Sequence, residues 1–138
     1  MLDRAGIAAL IPHAGPMVLL DEVVSCDERA IVCRTMSHTR PDNPLRCEGV
    51  LPAVCGCEYG AQAAAVHGPL LSGGRQRPGQ VVLLRGVAWT APDLARIAGP
   101  LTVRAERLHH DARSLAYRFE ITVDATMLVS GECGIILG

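Results

Sequence analysis

The stretch from about Ala53 to His67 constrains this chain more than any other. It is rich in alanine, apolar almost all round, and carries Glu58 as its one charged residue. A helix with no polar face has to be wrapped by other structure. Pro52 suits its start and Gly68-Pro69 its end. After a basic connector from Ser72 to Gly79, every further segment reads as strand: Gln80 to Trp89, Pro100 to Leu108, Ser114 to Val123 and Met127 to Leu137. One buried helix and four consecutive strands predict an α+β domain built on an antiparallel sheet.

The first third of the chain supplies the remaining elements. Asp3 can cap a short helix that runs to about Leu10 and stops at Ile11-Pro12, because the residue before proline is pushed out of helical conformation. Met17 to Val24 reads as a first strand and turn, and Ala30 to Met36 as a second strand. Ser37 to Pro52 holds three prolines and a glycine, so it is expected to be an irregular and functional loop. With 138 residues and no internal repeat, the chain forms one domain spanning 1–138. A sheet of this kind has open edges, and pairing two copies edge to edge covers one of them.

Composition removes several function classes. The net charge is -1, without the basic surface that nucleic-acid binding needs, and only 3% of residues are aromatic, too few for base stacking. No run of about 18 apolar residues predicts a membrane span. Asp3 and Arg4 fall where a secretory leader would have its apolar core, so a cytoplasmic location and free thiols are expected. Cys55 and Cys57 lack both the spacing and the second pair of a zinc site. No metal and no cofactor is expected.

Two motifs then resemble a known family. Ile11-Pro12-His13 through Pro16 to Leu20-Asp21 is similar to the opening signature of bacterial β-hydroxyacyl-[acyl carrier protein] dehydratases, and Glu58 through Gln62-Ala63 to their central-helix signature. Gly99-Pro100-Leu101 stands where that family has Pro-Gly-Asp before a strand. Ser37-His38, Pro41, Asn43-Pro44-Leu45-Arg46 and Glu58-Tyr59 more closely resemble the divergent dehydratase-like proteins encoded with aryl-polyene, polyketide or fatty-acid clusters. The resemblance implies a hot-dog fold, with a long central helix wrapped by a curved antiparallel sheet. It also implies a dimer or larger assembly, and an acyl thioester on acyl carrier protein or coenzyme A as substrate. The chain departs from the family in two places. Asn43-Pro44-Leu45 replaces the segment bearing the catalytic histidine, and Ala53 replaces the glycine whose amide binds the thioester carbonyl.

The chemistry this points to is loss of water from a 3-hydroxyacyl thioester, which needs an acid, a base and donors to the carbonyl oxygen. Glu58 is the candidate acid, carried by its helix into an acyl-binding tunnel, where burial favours the neutral carboxyl and the helix start favours the anion. Gln62, one turn on, is placed to orient it. His38 at the loop start and His13 in its proline-bounded turn are the candidate bases, with His38 ahead. Ala53 offers its backbone amide, and Asn43 and Arg46 are candidate substrate-binding or loop-fixing residues. Arg75, Arg77 and Arg85 are candidates for a phosphate or an acidic carrier. His67 is out of phase with Glu58, and Tyr59 and Trp89 read as core or interface. Two other functions remain open: a hot-dog thioesterase activating water, and a non-catalytic partner completing a heterodimer with an intact dehydratase.

Overall fold

A computed structural model of the chain describes residues 1–74 and 79–138. Arg75 and Arg77 lie outside the described residues. Seven strands form one antiparallel sheet: β1 (Leu2–Asp3), β2 (Glu22–Cys26), β3 (Ala30–Thr35), β4 (Gly79–Trp89), β5 (Leu101–His110), β6 (Ser114–Val123) and β7 (Thr126–Leu137). Their order across the sheet is β1-β2-β3-β5-β6-β7-β4, which leaves β4 at one edge and the two-residue β1 at the other. Among the described residues two α-helices complete the fold, the short α1 (Arg4–Ala8) and the central α2 (Gly56–Leu71). This is the hot-dog arrangement expected from the sequence.

The period-two pattern of the strands sorts their side chains onto two faces. Ile31 and Cys33, Val103 and Ala105, Tyr117, Phe119 and Ile121, and Val129 and Cys133 point inward and are buried against α2. The outer face carries a ladder of opposite charges. Glu106 pairs in register with Arg118, Arg118 with Glu132, and Glu132 with Arg85, across four strands. Arg118–Glu106 and Arg85–Glu132 approach to 3.5 and 3.7 Å. Exposed pairs of this kind contribute little stability, about 0–1 kcal/mol each, but they keep the outer face soluble.

Glycines let α2 lie close on the inner face. A Cβ at Gly60 would overlap the Phe119 ring, and one at Gly56 would press on Ile121 and Val129. All six cysteines are free thiols, and burial pushes Cys33 up to about 12 and Cys133 up to about 11. Such thiols stay protonated and act as small apolar side chains.

Three boundaries differ most from the sequence expectation. Strand β2 begins at Glu22, whereas Gly15–Met17 forms a 3₁₀ turn and Val18, Leu19 and Leu20 are buried outside any strand. Their backbone is satisfied by a helix side chain, described below, and not by a sheet neighbour. Gly68-Pro69 does not end α2, which runs on to Leu71 with Pro69 inside it. A proline this near the C-terminus removes only one bond of the helix ladder, and Ser72 N–H still reaches Gly68 O at 3.0 Å. At its other end α2 is preceded by a 3₁₀ turn over Ala53–Cys55, so the α-helical ladder starts later than Ala53.

Candidate active site

Glu58 sits in the first turn of α2 and is its one charged side chain. At about 100° per residue it is roughly 200° from both Gly56 and Gly60, the positions that press on the sheet. The helix therefore turns Glu58 away from the sheet, and in the single chain it is exposed. Neither of the two surface concavities found beside the N-terminal segment is lined by it. Among the described residues Glu58 thus stands open to solvent in one chain. Its nearest thiols are Cys55 and Cys57, whose pKa values are raised first by burial and then by the Glu58 charge.

Gln62 shares the helix face of Glu58 by spacing, yet it serves another purpose. Its Oε1 accepts from Leu19 N at 2.8 Å and Leu20 N at 3.2 Å, while Nε2 donates to Met17 O at 2.8 Å. The side chain is buried and holds the Met17–Leu20 segment onto α2, so its amide is not directed at Glu58. The Ala53 amide is also engaged, donating to Pro92 O at 3.0 Å. Asp93 strengthens this junction by accepting from Leu51 N at 2.9 Å and Ala95 N at 3.0 Å. Those bonds hold the Asp93 carboxyl below its ordinary pKa. Val54, one residue beyond Ala53, is half-exposed at the same helix start.

The loop between β3 and α2 is fastened from within. Asn43 donates from Nδ2 to Ser37 O at 2.9 Å and to Tyr59 Oη at 3.0 Å, and its Oδ1 accepts from Leu45 N at 2.9 Å. Ser37 Oγ lies 2.8 Å from Tyr59 Oη and donates to Leu19 O at 2.7 Å. Asn43, which falls in the segment where the family carries its histidine, is thus a buckle between the loop and the residue next to Glu58. Arg46 donates weakly to Gly49 O at 3.5 Å, across the tight Cys47–Val50 turn. Both follow the loop-fixing alternative more closely than the substrate-binding one.

His38 is fully buried in the 3₁₀ turn Ser37–Thr39. Its Nε2 donates to Ile97 O at 3.0 Å, since a carbonyl can only accept, which leaves Nδ1 as an acceptor without a partner. Burial pushes its pKa down, against the opposing pull of the Ile97 and Gly99 carbonyls. His13 is half-buried, and its Nδ1 likewise has no partner. Among the described residues no hydrogen bond joins either imidazole to Glu58. His67 is engaged elsewhere, with Nδ1 2.6 Å from Tyr117 Oη and Nε2 2.7 Å from Asp27 O. Arg85 faces Glu132 on the outer face.

Tyr59, Ser37 and Asp93 are the structural supports that spacing did not reveal. Tyr59 follows the glutamate in the family-like motif, but nothing in the sequence ties its hydroxyl to Ser37 and Asn43. Uncovered apolar surface lies along β4, where Val81, Val82, Leu83, Leu84 and Trp89 are 42–58% exposed. Leu84 pairs with the inward-facing Cys133, so it belongs to the same concave side as α2.

A family model for the ApeP dehydratase matches residues 5–136. The chain belongs to the ApeP-like dehydratase family. No curated protein matches it. Among solved structures, this ApeP-like chain is similar to the dehydratase heterocomplex ApeI:P from Xenorhabdus doucetiae, with TM-score 0.85 and 23% identity over 96% of this chain and 90% of that one. AziG from S. sahachiroi follows with TM-score 0.66 and 19% identity, covering 93% and 97% of the two chains. A thioesterase from Haemophilus influenzae gives TM-score 0.60 and 12% identity over 85% and 77%. At these identities the structures establish the shared hot-dog fold, and the family membership rests on the sequence model. The ApeP-like chain is a dehydratase-like hot-dog protein.

Proposed function

We propose that this chain eliminates water from a 3-hydroxyacyl thioester carried on phosphopantetheine, with Glu58 as the general acid. The observation that carries this reading is the placement of Glu58 as the lone charge of α2, exposed at the helix start in a chain whose concave β4 surface is still uncovered. A second hot-dog chain laid along β4 would turn that open surface into an acyl-binding tunnel. In the reaction a base removes a proton from C2, a double bond forms to C3, and the C3 hydroxyl leaves as water with the Glu58 proton. The Val54 N–H at the helix start is the candidate donor to the thioester carbonyl, since the Ala53 amide is already engaged.

His13 is placed ahead of His38 as the base within this chain, because His38 is fully buried and tied to Ile97. The buckling of Asn43 onto Tyr59 supports a second reading, in which a partner chain supplies the imidazole and this chain is one half of a heterodimer. The similarity to ApeI:P, itself a heterocomplex, agrees with that arrangement.

The test is formation of the conjugated enoyl thioester from a 3-hydroxyacyl-phosphopantetheine substrate. Glu58→Gln is expected to lower the rate by about 10²–10⁴-fold with the fold retained. Full activity in Glu58→Gln would overturn the proposal, and release of free thiol in place of enoyl product would reassign the chain as a thioesterase. Turnover by the purified chain alone that is lost in His13→Gln would remove the heterodimer reading.

A further inference from the structure

Arg4 opens α1, and its guanidinium folds back over the loop that follows the helix. Nη2 donates to Gly15 O at 2.6 Å and to Val18 O at 3.1 Å, and Nε reaches Val18 O at 3.3 Å. These partners are carbonyls, and among the described residues no carboxylate forms an ion pair with Arg4. The cation is therefore held in place without being neutralised, and its Nη1 donors are unclaimed. Arg40 faces the same region from the end of the Ser37–Thr39 turn. Its Nη2 lies 2.7 and 2.8 Å from the two Asp21 oxygens, which leaves its Nε and Nη1 donors unclaimed.

Both arginines line one cavity of about 370 Å³, together with Gly15, Pro16, Ser37 and Asn43. Ser37 and Asn43 are buried and already saturated by Leu19, Tyr59 and Leu45, so this wall is rigid. The spare donors of the lining side chains thus belong to two guanidinium groups. A planar guanidinium recognises oxyanions through paired N–H groups, and phosphate offers acceptors to two such groups at once. We propose that this cavity binds a phosphate-type oxyanion between Arg4 and Arg40. Asp42 is the one carboxylate in the lining and opposes the ligand's charge. Neither Glu58 nor any residue of α2 or β4 lines the cavity.

The experiment is a titration of the full chain with inorganic phosphate at constant ionic strength, read by backbone amide shifts around Gly15 and Ser37 to Asn43. Saturable binding is expected. Arg40→Gln should weaken it about tenfold, and Asp42→Asn should tighten it about threefold by removing an opposing charge. Asp42 is exposed, so its variant keeps the fold, and a gain in affinity cannot come from unfolding. A parallel titration with coenzyme A separates the sources. Displacement of phosphate by coenzyme A identifies a carrier phosphate, and its absence identifies free phosphate. Linear, non-saturating shifts would overturn the proposal, as would affinities unchanged in both Arg40→Gln and Asp42→Asn.

Discussion

At the scale of single residues, polar groups near α2 act mostly as fasteners, and Glu58 stands out because it does not. Gln62 illustrates the difference. By helical spacing it belongs with Glu58, and the family motif pairs the two, yet its amide satisfies Leu19, Leu20 and Met17, more than 40 positions away in the chain. Periodicity reports the face on which a side chain starts, and not which distant backbone arrives to meet it. Glu58 was legible because a lone charge in an apolar helix is conspicuous, whereas the fastening roles of Gln62, Asn43 and His38 depended on long-range contacts. Gln62→Leu keeps the volume and strands two buried N–H groups and a carbonyl. Each such group costs about 1–3 kcal/mol, so a loss of at least about 2 kcal/mol is expected. A urea unfolding midpoint compared at constant m-value measures it.

At the scale of elements, the position of α2 is set by small residues against large ones. Replacing glycine by alanine inside a helix ordinarily adds about 1 kcal/mol of stability. Gly60→Ala is expected to do the opposite, because the new Cβ meets the Phe119 ring and must push helix and sheet apart. Thermal denaturation shows the sign, and Phe119→Leu in the same chain should recover part of the loss. The far half of α2 is tied down by His67, between Tyr117 of β6 and Asp27 of the β2–β3 turn. Burial pushes the His67 pKa below 6.5, with Arg107 and His110 adding to the effect and Asp27 opposing it. His38 is lowered in the same direction. Below pH 6.5 the unfolded chain therefore binds more protons than the folded one, and stability falls as pH drops until the folded-state pKa values are passed. Above pH 6.5 both states are neutral at these positions and the effect is absent. His67→Gln should flatten the slope of unfolding free energy between pH 6.5 and more acidic conditions, measured by denaturant titration at several pH values.

At the scale of the molecule, the strand order explains both what was readable and what one chain leaves unfinished. β5, β6 and β7 read as strands in the sequence, and in β5 and β6 buried apolar residues alternate with charged ones that join the ladder from Glu106 to Arg85. β4 also read as a strand, but its neglect of alternation carried a further message. Its apolar residues point to both sides, since Leu84 opposes inward Cys133 while Leu83 opposes Gly134, and yet Val81 to Leu84 and Trp89 are exposed. An uncovered apolar edge strand of 11 residues exposes unpaired backbone groups and invites pairing with another chain. Placing lysine there is a known way to block such pairing, because the charge would have to be buried. If a second chain pairs along β4 as proposed, Val82→Lys with Leu84→Lys is expected to leave only monomers, read by sedimentation velocity, with the helix and sheet signal in circular dichroism retained. On the proposed function, in which a second chain along β4 completes the acyl tunnel, the same double variant is expected to lose dehydration activity although it leaves Glu58 untouched. A protein that remains assembled and active with both lysines in place would show that its partner binds elsewhere and that one chain suffices around Glu58.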